Sequence, residues 1–249
     1  MLYASVSKGF KSGGFNTGAN QSTSYEPETV LAYEAGMKSQ FWDGRAQTNV
    51  STFFYDYSDL QLVQIEGFAS AVKNAAKAEV FGGEVASSFI LTDHFTVHAS
   101  VEYLSAEFKE FSSADGRFLG LGITTPVDLS GNSLPSAPEF SFRIGADYSQ
   151  PISSSKTLDF GFDYYWQDEI FFTPFNLELS KQESVGRLDL TAGLDINDGT
   201  WRVEVFGKNV TDETVRNSGE VTSFILGSSR TFTYSPPRTF GLRLKYQFD

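Results

Sequence analysis

Chemistry that needs a nucleophile, a metal or a general base finds little to work with in this chain. There is no cysteine, which removes thiolate catalysis, disulfides and thiolate zinc sites together. The two histidines are His94, in the turn-forming run Thr92-Asp93-His94, and His98, inside an alternating segment. Four residues apart on a strand, they cannot clamp one metal as a helical pair would. No Gly-x-Ser-x-Gly elbow occurs, so a serine nucleophile has neither setting nor base. Gly13-Gly14 and Gly120-Leu121-Gly122 do not join a strand to a helix and read as loop rather than phosphate cradle. Asp56-Tyr57-Ser58-Asp59 and Asp195-Ile196-Asn197-Asp198-Gly199 carry oxygen ligands without EF-hand spacing. No catalytic residue, metal ligand or cofactor is assigned.

Binding chemistry is better supplied. Arg117 and Phe118 share one long polar stretch, 111–138, with Phe111 and Leu119. Arg216, Phe224 and Arg230 share another, 211–235, with Phe232 and Tyr234. Arginine and aromatic groups together suit a flat anionic ligand, through stacking and charge-assisted hydrogen bonds. Arg117, Phe118, Arg216, Phe224 and Arg230 are the candidate ligand contacts. A formal net charge of −12 argues against nucleic acid as partner. A further mixed-charge set comprises Glu34, Lys38, Glu84, Glu102, Arg143, Asp147, Arg187, Asp189, Arg202, Glu204, Arg243 and Lys245. Its members fall at alternate positions, as expected of a polar wall whose charges pair across strands.

These residues need strands to position them. In Thr239–Phe248 every second residue is apolar, with Thr239, Gly241, Arg243, Lys245 and Gln247 between; a helix would scatter that set around its circumference. The same alternation places Phe140, Phe142, Ile144, Ala146 and Tyr148 on one face. It does so again for Leu158 to Trp166, for Leu188 to Ile196, for Trp201 to Val205, and for Phe95 to Tyr103. Noisier segments lie at 2–9, 33–41, 45–63 and 76–91, so ten strands are predicted. Short turns at Asp43-Gly44, 92–94, 151–156 and 197–199 alternate with long stretches at 10–25, 64–75, 111–138, 173–184 and 211–235. Short turns on one rim and long loops on the other is the layout of an outer-membrane barrel. Both ends of the chain then fall on the turn side. With 24 Phe, 11 Tyr and 3 Trp yet a mean hydropathy of −0.23, the chain suits aromatics facing lipid and polar groups facing inward. No stretch approaches the length of a membrane helix. Aromatic girdles are expected at Phe41, Trp42, Phe95, Tyr148, Trp201 and Phe248 on the turn side, and at Tyr55, Tyr57, Tyr164, Trp166, Phe171 and Phe172 toward the loops.

Six segments, in order along the chain, resemble the barrel of TonB-dependent outer-membrane receptors. They are Tyr3-Ala4-Ser5-Val6-Ser7-Lys8-Gly9-Phe10 through Asn16; Tyr25-Glu26-Pro27-Glu28-Thr29 with Tyr33-Glu34-Ala35-Gly36-Met37-Lys38; and Asn74-Ala75-Ala76-Lys77-Ala78 with Gly82-Gly83-Glu84. Leu134-Pro135-Ser136-Ala137-Pro138, Lys208-Asn209-Val210-Thr211-Asp212-Glu213 and Pro236-Pro237-Arg238-Thr239-Phe240-Gly241 complete the set. The resemblance implies a barrel of 22 strands around an N-terminal plug. Residues 1–249, a single domain, would be its last ten strands, with plug, signal peptide and TonB-contacting segment ahead of them. It also implies import of a scarce nutrient, most often a ferric siderophore, with cobalamin, haem and saccharides as other cargoes. The partners implied are outer-membrane lipid, the nutrient, and TonB through the preceding segment. Phe248 is followed by Asp249, whereas the family usually ends on the aromatic. Two other readings stand beside this one. A free-standing ten-stranded barrel acting as surface protease or adhesin fits the length but lacks a catalytic carboxylate–histidine set near the loop rim. A soluble all-β module would expose too many Phe and Tyr to water.

Overall fold

The computed structural model describes residues 1–16, 24–66, 69–197, 199–222, 227 and 229–248. Ten strands run antiparallel in sequence order through one curved sheet. They are β1 (Leu2–Lys11), β2 (Glu28–Phe41), β3 (Ala46–Glu66), β4 (Ala69–Thr92), β5 (Phe95–Ala114), β6 (Phe140–Ser153), β7 (Lys156–Gln167), β8 (Val185–Ile196), β9 (Trp201–Lys208) and β10 (Thr239–Tyr246). A short strand, Pro126–Asp128, pairs with the end of β5. Among the described residues β1 and β10 do not pair with each other, so the sheet is an open wall rather than a closed barrel. Among the described residues no helix is long and apolar enough to cross a membrane.

The register carries two chemically opposite faces across every strand pair. One row runs Met37, Val50, Val85, Val101, Phe142, Trp166; the row above it runs Tyr33, Phe54, Phe81, Ser105. The other face carries Glu84 opposite Glu102, Ser100 opposite Arg143, and Tyr165 opposite Arg187. The apolar face has nothing packed on it: Phe240, Leu242 and Leu244 are 69%, 62% and 64% exposed. Rows of bare Phe, Leu and Val are tolerable only where the solvent is hydrocarbon. Every residue of the mixed-charge set falls on the opposite, luminal face.

Two features differ from expectation. The stretch 64–75, expected as loop, is paired as strand at its described residues: Gln64 pairs with Ala71 and Val63 with Val72. β3, β4 and β5 therefore run 21, 24 and 20 residues, about twice the 9–11 that cross a bilayer. Tyr55 and Tyr57 were expected in the outer girdle; both lie in the luminal register, opposite Val80 and Ala78. Tyr55 stacks on Phe53 at 5.0 Å. The girdle reading holds on the turn side, where Trp201 and Tyr246 rings lie 4.6 Å apart.

Candidate functional site

Above the membrane band the three long strands carry a small core of their own. Ala76, Ala78, Phe108, Phe111 and Leu129 are buried together, with Tyr57, Leu60, Leu62, Leu134 and Phe175 against them. Phe111, expected as a loop residue open to ligand, is 5% exposed, with its ring 4.8 Å from Phe108. Leu129 and Phe175 come from two different loops, so the core holds those loops down on the inner face of the sheet.

Amide side chains join the loops to one another. Asn176 accepts from the backbone N–H of Ser133 at 2.8 Å and donates to its carbonyl at 3.1 Å. Asn132 donates to the Pro174 carbonyl at 2.9 Å. On the far side, the Arg216 backbone N–H donates to Gln182 Oε1 and its guanidinium to the Lys181 carbonyl, both at 2.7 Å. Near β1, Asn74 accepts from the Glu26 N–H at 2.7 Å and donates to the Glu26 and Asp59 carbonyls at 2.8 Å. Buried Gln61 donates to the carbonyls of Ser12 and Glu26 at 3.0 and 3.1 Å. Asn209, at φ 49°, closes its turn by hydrogen-bonding Glu213 in both directions. Loop-borne amides gave no separate signal in the sequence, although Asn74 and Asn209 sit inside two of the resemblance segments.

The five candidate contacts do not share one role. Arg117 is folded back on Asp115, its Nε 2.9 and 3.0 Å from the two carboxylate oxygens, with the guanidinium 5.2 Å from the Phe118 ring centre. Arg216 ties two loops and lies 4.3 Å over Phe232. Arg230 starts the second strand of a ribbon in which Arg216–Val221 pairs with Arg230–Tyr234. It is exposed, and among the described residues its side chain has no polar partner. Phe118 is exposed beside Arg117. Phe224 lies outside the described residues. Arg117 and Arg216 are thus scaffold first, while Arg230 and Phe118 present free surface.

Lys181 is the electrostatic centre of this block. It is buried, with Glu178, Glu169 and Glu183 at 2.8, 2.9 and 3.3 Å. Hydrogen bonds to Glu178 and then Glu169 raise its pKa well above the ordinary lysine value. A raised folded-state pKa stabilises the block fully below the unfolded value of about 10.4 and fades as pH climbs through the folded one. A spin label at exposed Leu179 should therefore report unchanged mobility between about pH 6 and 9 and loosening only in stronger alkali. Lys181→Met, which leaves three carboxylates facing one another, should loosen the same label at neutral pH. Equal mobility in the variant would show that the lysine is not what holds the loop.

Along the lumen the mixed charges pair. Arg202 donates to Asp159 at 2.7 Å and Asp195 at 2.6 Å, and Arg243 donates to Glu204 at 2.6 Å. Arg143 reaches Asp163 at 3.1 Å, and His98 lies between Asp147 and Asp163 at 3.7 and 3.5 Å. A polar cleft of about 220 Å³ opens between Arg143, Asp163, Arg187, Lys208 and Pro236. The wall is thus hydrated and charge-balanced, with the loop block at its rim.

Residues 1–210 match the model of the family described as TonB dependent receptor-like, beta-barrel. The chain belongs to that family. It is accordingly a bacterial outer-membrane protein, and the polar face lines the interior of a receptor barrel. The ferric yersiniabactin uptake receptor FyuA from Yersinia pestis superimposes with a TM-score of 0.81 at 20% identity, over 100% of this chain and 35% of that one. The siderophore receptor PiuA from Acinetobacter baumannii gives 0.74 at 18%, over 98% and 33%. The copper transporter OprC gives 0.63 at 16%, over 90% and 32%. The chain spans about a third of the length of these receptors. The shared fold covers 90–100% of the chain, and the names of these three include both siderophore and copper.

Proposed function

We propose that this TonB-dependent receptor wall serves the import of a ferric siderophore, driven through TonB by a segment of the whole protein beyond these strands. The observation that carries the reading is the loop block: three loops locked together over a polar lumen, presenting Arg230 and Phe118 outward. A preorganised rim of cationic and aromatic groups is what recognition of a bulky anionic chelate requires, because ordering costs are met before binding. Siderophore receptors among the solved structures of the same fold support that cargo class over cobalamin, haem or a saccharide.

The test is binding of ferric catecholate, hydroxamate and phenolate chelates to the full-length protein. One class should bind, and Arg230→Ala should weaken it by about ten- to a hundredfold, the loss of one charge-assisted hydrogen bond. Arg216→Ala should weaken it as well, while also loosening residues 168–184 in hydrogen exchange. Binding of a metal-free saccharide or cobalamin instead, with no ferric chelate retained, would overturn the cargo assignment.

A further inference from the structure

A groove of about 830 Å³ lies on the lipid-facing side of the wall, crossing β5 to β10. Ala146, Ala192 and Gly207 form its low points, while Phe162, Leu190 and Phe240 stand along it. Gly207 must stay bare, because a Cβ there would lie 2.6 Å from Val210 and 2.8 Å from the Phe240 ring. A barrel wall is a hyperboloid, concave along one direction, and small residues at the waist deepen that concavity into a slot.

The slot has a polar handle at one end only. Val210 lines it, and the Arg238 guanidinium reaches the Val210 carbonyl at 3.4 Å. Arg238 is two residues beyond Phe240, is 45% exposed, and faces a single carboxylate, Asp212, at 3.3 Å. Its height can be estimated. Trp201 and Tyr246 mark the turn-side border; eight residues of strand from there to Arg238, at about 3.4 Å each and tilted by about 40°, rise roughly 20 Å. The apolar band of such barrels is about 25 Å tall. Arg238 therefore lies near the loop-side border of that band, about 5 Å below it, from where a long arginine side chain reaches the headgroup level.

We propose that this groove holds one hydrocarbon chain of a membrane lipid whose phosphate headgroup carries net negative charge, with the lipid phosphate on Arg238. At this depth the surrounding matter is lipid, the lining is apolar, and the cation is placed where an anionic headgroup would sit. The pair with Asp212 is an exposed one and weak, so a phosphate can share or replace it.

Native mass spectrometry decides the matter, using the full-length protein released from phosphatidylcholine vesicles doped with phosphatidylglycerol, its fold checked by heat-modifiable migration. The wild type should retain one phosphatidylglycerol in preference to phosphatidylcholine. Arg238→Ala should cut that retention about tenfold; Asp212→Asn, which frees the arginine, should increase it. Ala192→Phe, which fills the slot, should abolish it, while Val85→Phe, elsewhere on the lipid face, should leave it unchanged. Equal retention of the two lipids, indifference to both Arg238→Ala and Asp212→Asn, or a second protein copy retained in place of lipid would each overturn the proposal. Should Ala192→Phe not fold, the opposed responses at 238 and 212 decide it alone.

Discussion

Phe108→Ala should release the extracellular loops while leaving the membrane wall standing. Phe108 is fully buried, between Ala76, Ala78, Phe111 and Leu129. Its backbone is also committed to the loop, accepting from Gly131 at 2.7 Å and donating to Asn132 at 2.9 Å. Truncating a buried phenylalanine costs about 3–5 kcal/mol, and most at sites that cannot collapse onto the gap. Here the partners include Leu129 and Phe175 from two loops, so the loss falls on the contact that docks those loops. Converted to an opening equilibrium, it is roughly two to three orders of magnitude. Hydrogen exchange across 115–138 and 173–182 should accelerate accordingly, and ligand affinity should fall with it. The denaturant midpoint of the barrel should barely move, since this core sits on the strand extensions above the membrane rows. A shift in global unfolding with unchanged loop exchange would place Phe108 in the wrong cooperative unit.

How far the sequence could be read follows from which solvent each face meets. Within the membrane band, lipid and a hydrated lumen press opposite demands on alternate residues, so the faces of β6 to β10 are legible, while their ends run past the predicted ones, to Ser153 rather than Tyr148 in β6 and to Lys208 rather than Val205 in β9. Above the band that contrast inverts. The outward row becomes Asp56, Glu79 and Glu107, with Lys109 bridging the two glutamates at 3.2 and 3.4 Å. The inward row becomes Tyr57, Ala78 and Phe108. The strands continue through register shifts at Tyr57–Gln61 and Lys77–Ala78 while the polarity switches sides, so an apolar-face rule places Tyr55 and Tyr57 outward and sees no strand at 64–66 or 69–75. The loops were partly legible in the same sense. Arginine and aromatic types marked the candidate contacts, but not that Asp115, two residues away, engages Arg117 or that Gln182 and Lys181 engage Arg216. The Arg216 partners are set by a contact between two loops separated by a strand pair, which no local pattern encodes. The luminal charges were the easier case, because alternation alone puts Arg202, Asp159 and Asp195 on one face, and opposite charges on a shared face pair.

The assignment of faces has its own decisive experiment in two adjacent residues of β4. Val85 lies in the row Met37, Val50, Val85, Val101, midway between the aromatics Phe89 and Phe81 on the same face. Its neighbour Ala86 points the other way, opposite Asn49 and Ser100, and borders a polar cleft of about 410 Å³ that includes Glu84 and Glu102. Arginine at the bilayer midplane of a barrel costs about 2–4 kcal/mol, because no snorkelling side chain reaches the headgroups from there. Val85→Arg should therefore lower the stability of the protein folded in vesicles by about that amount, read as the shift in its denaturant midpoint. Ala86→Arg adds the same cation to a hydrated cleft with two carboxylates on its rim, and should cost little. The two substitutions differ by one position in sequence and put the same cation on opposite faces of one strand. A difference of this size between them reports the medium each face meets. Equal penalties would mean that both faces see the same solvent, and the wall would then not be a membrane wall; a larger penalty at Ala86 would mean that the sheet is inside out.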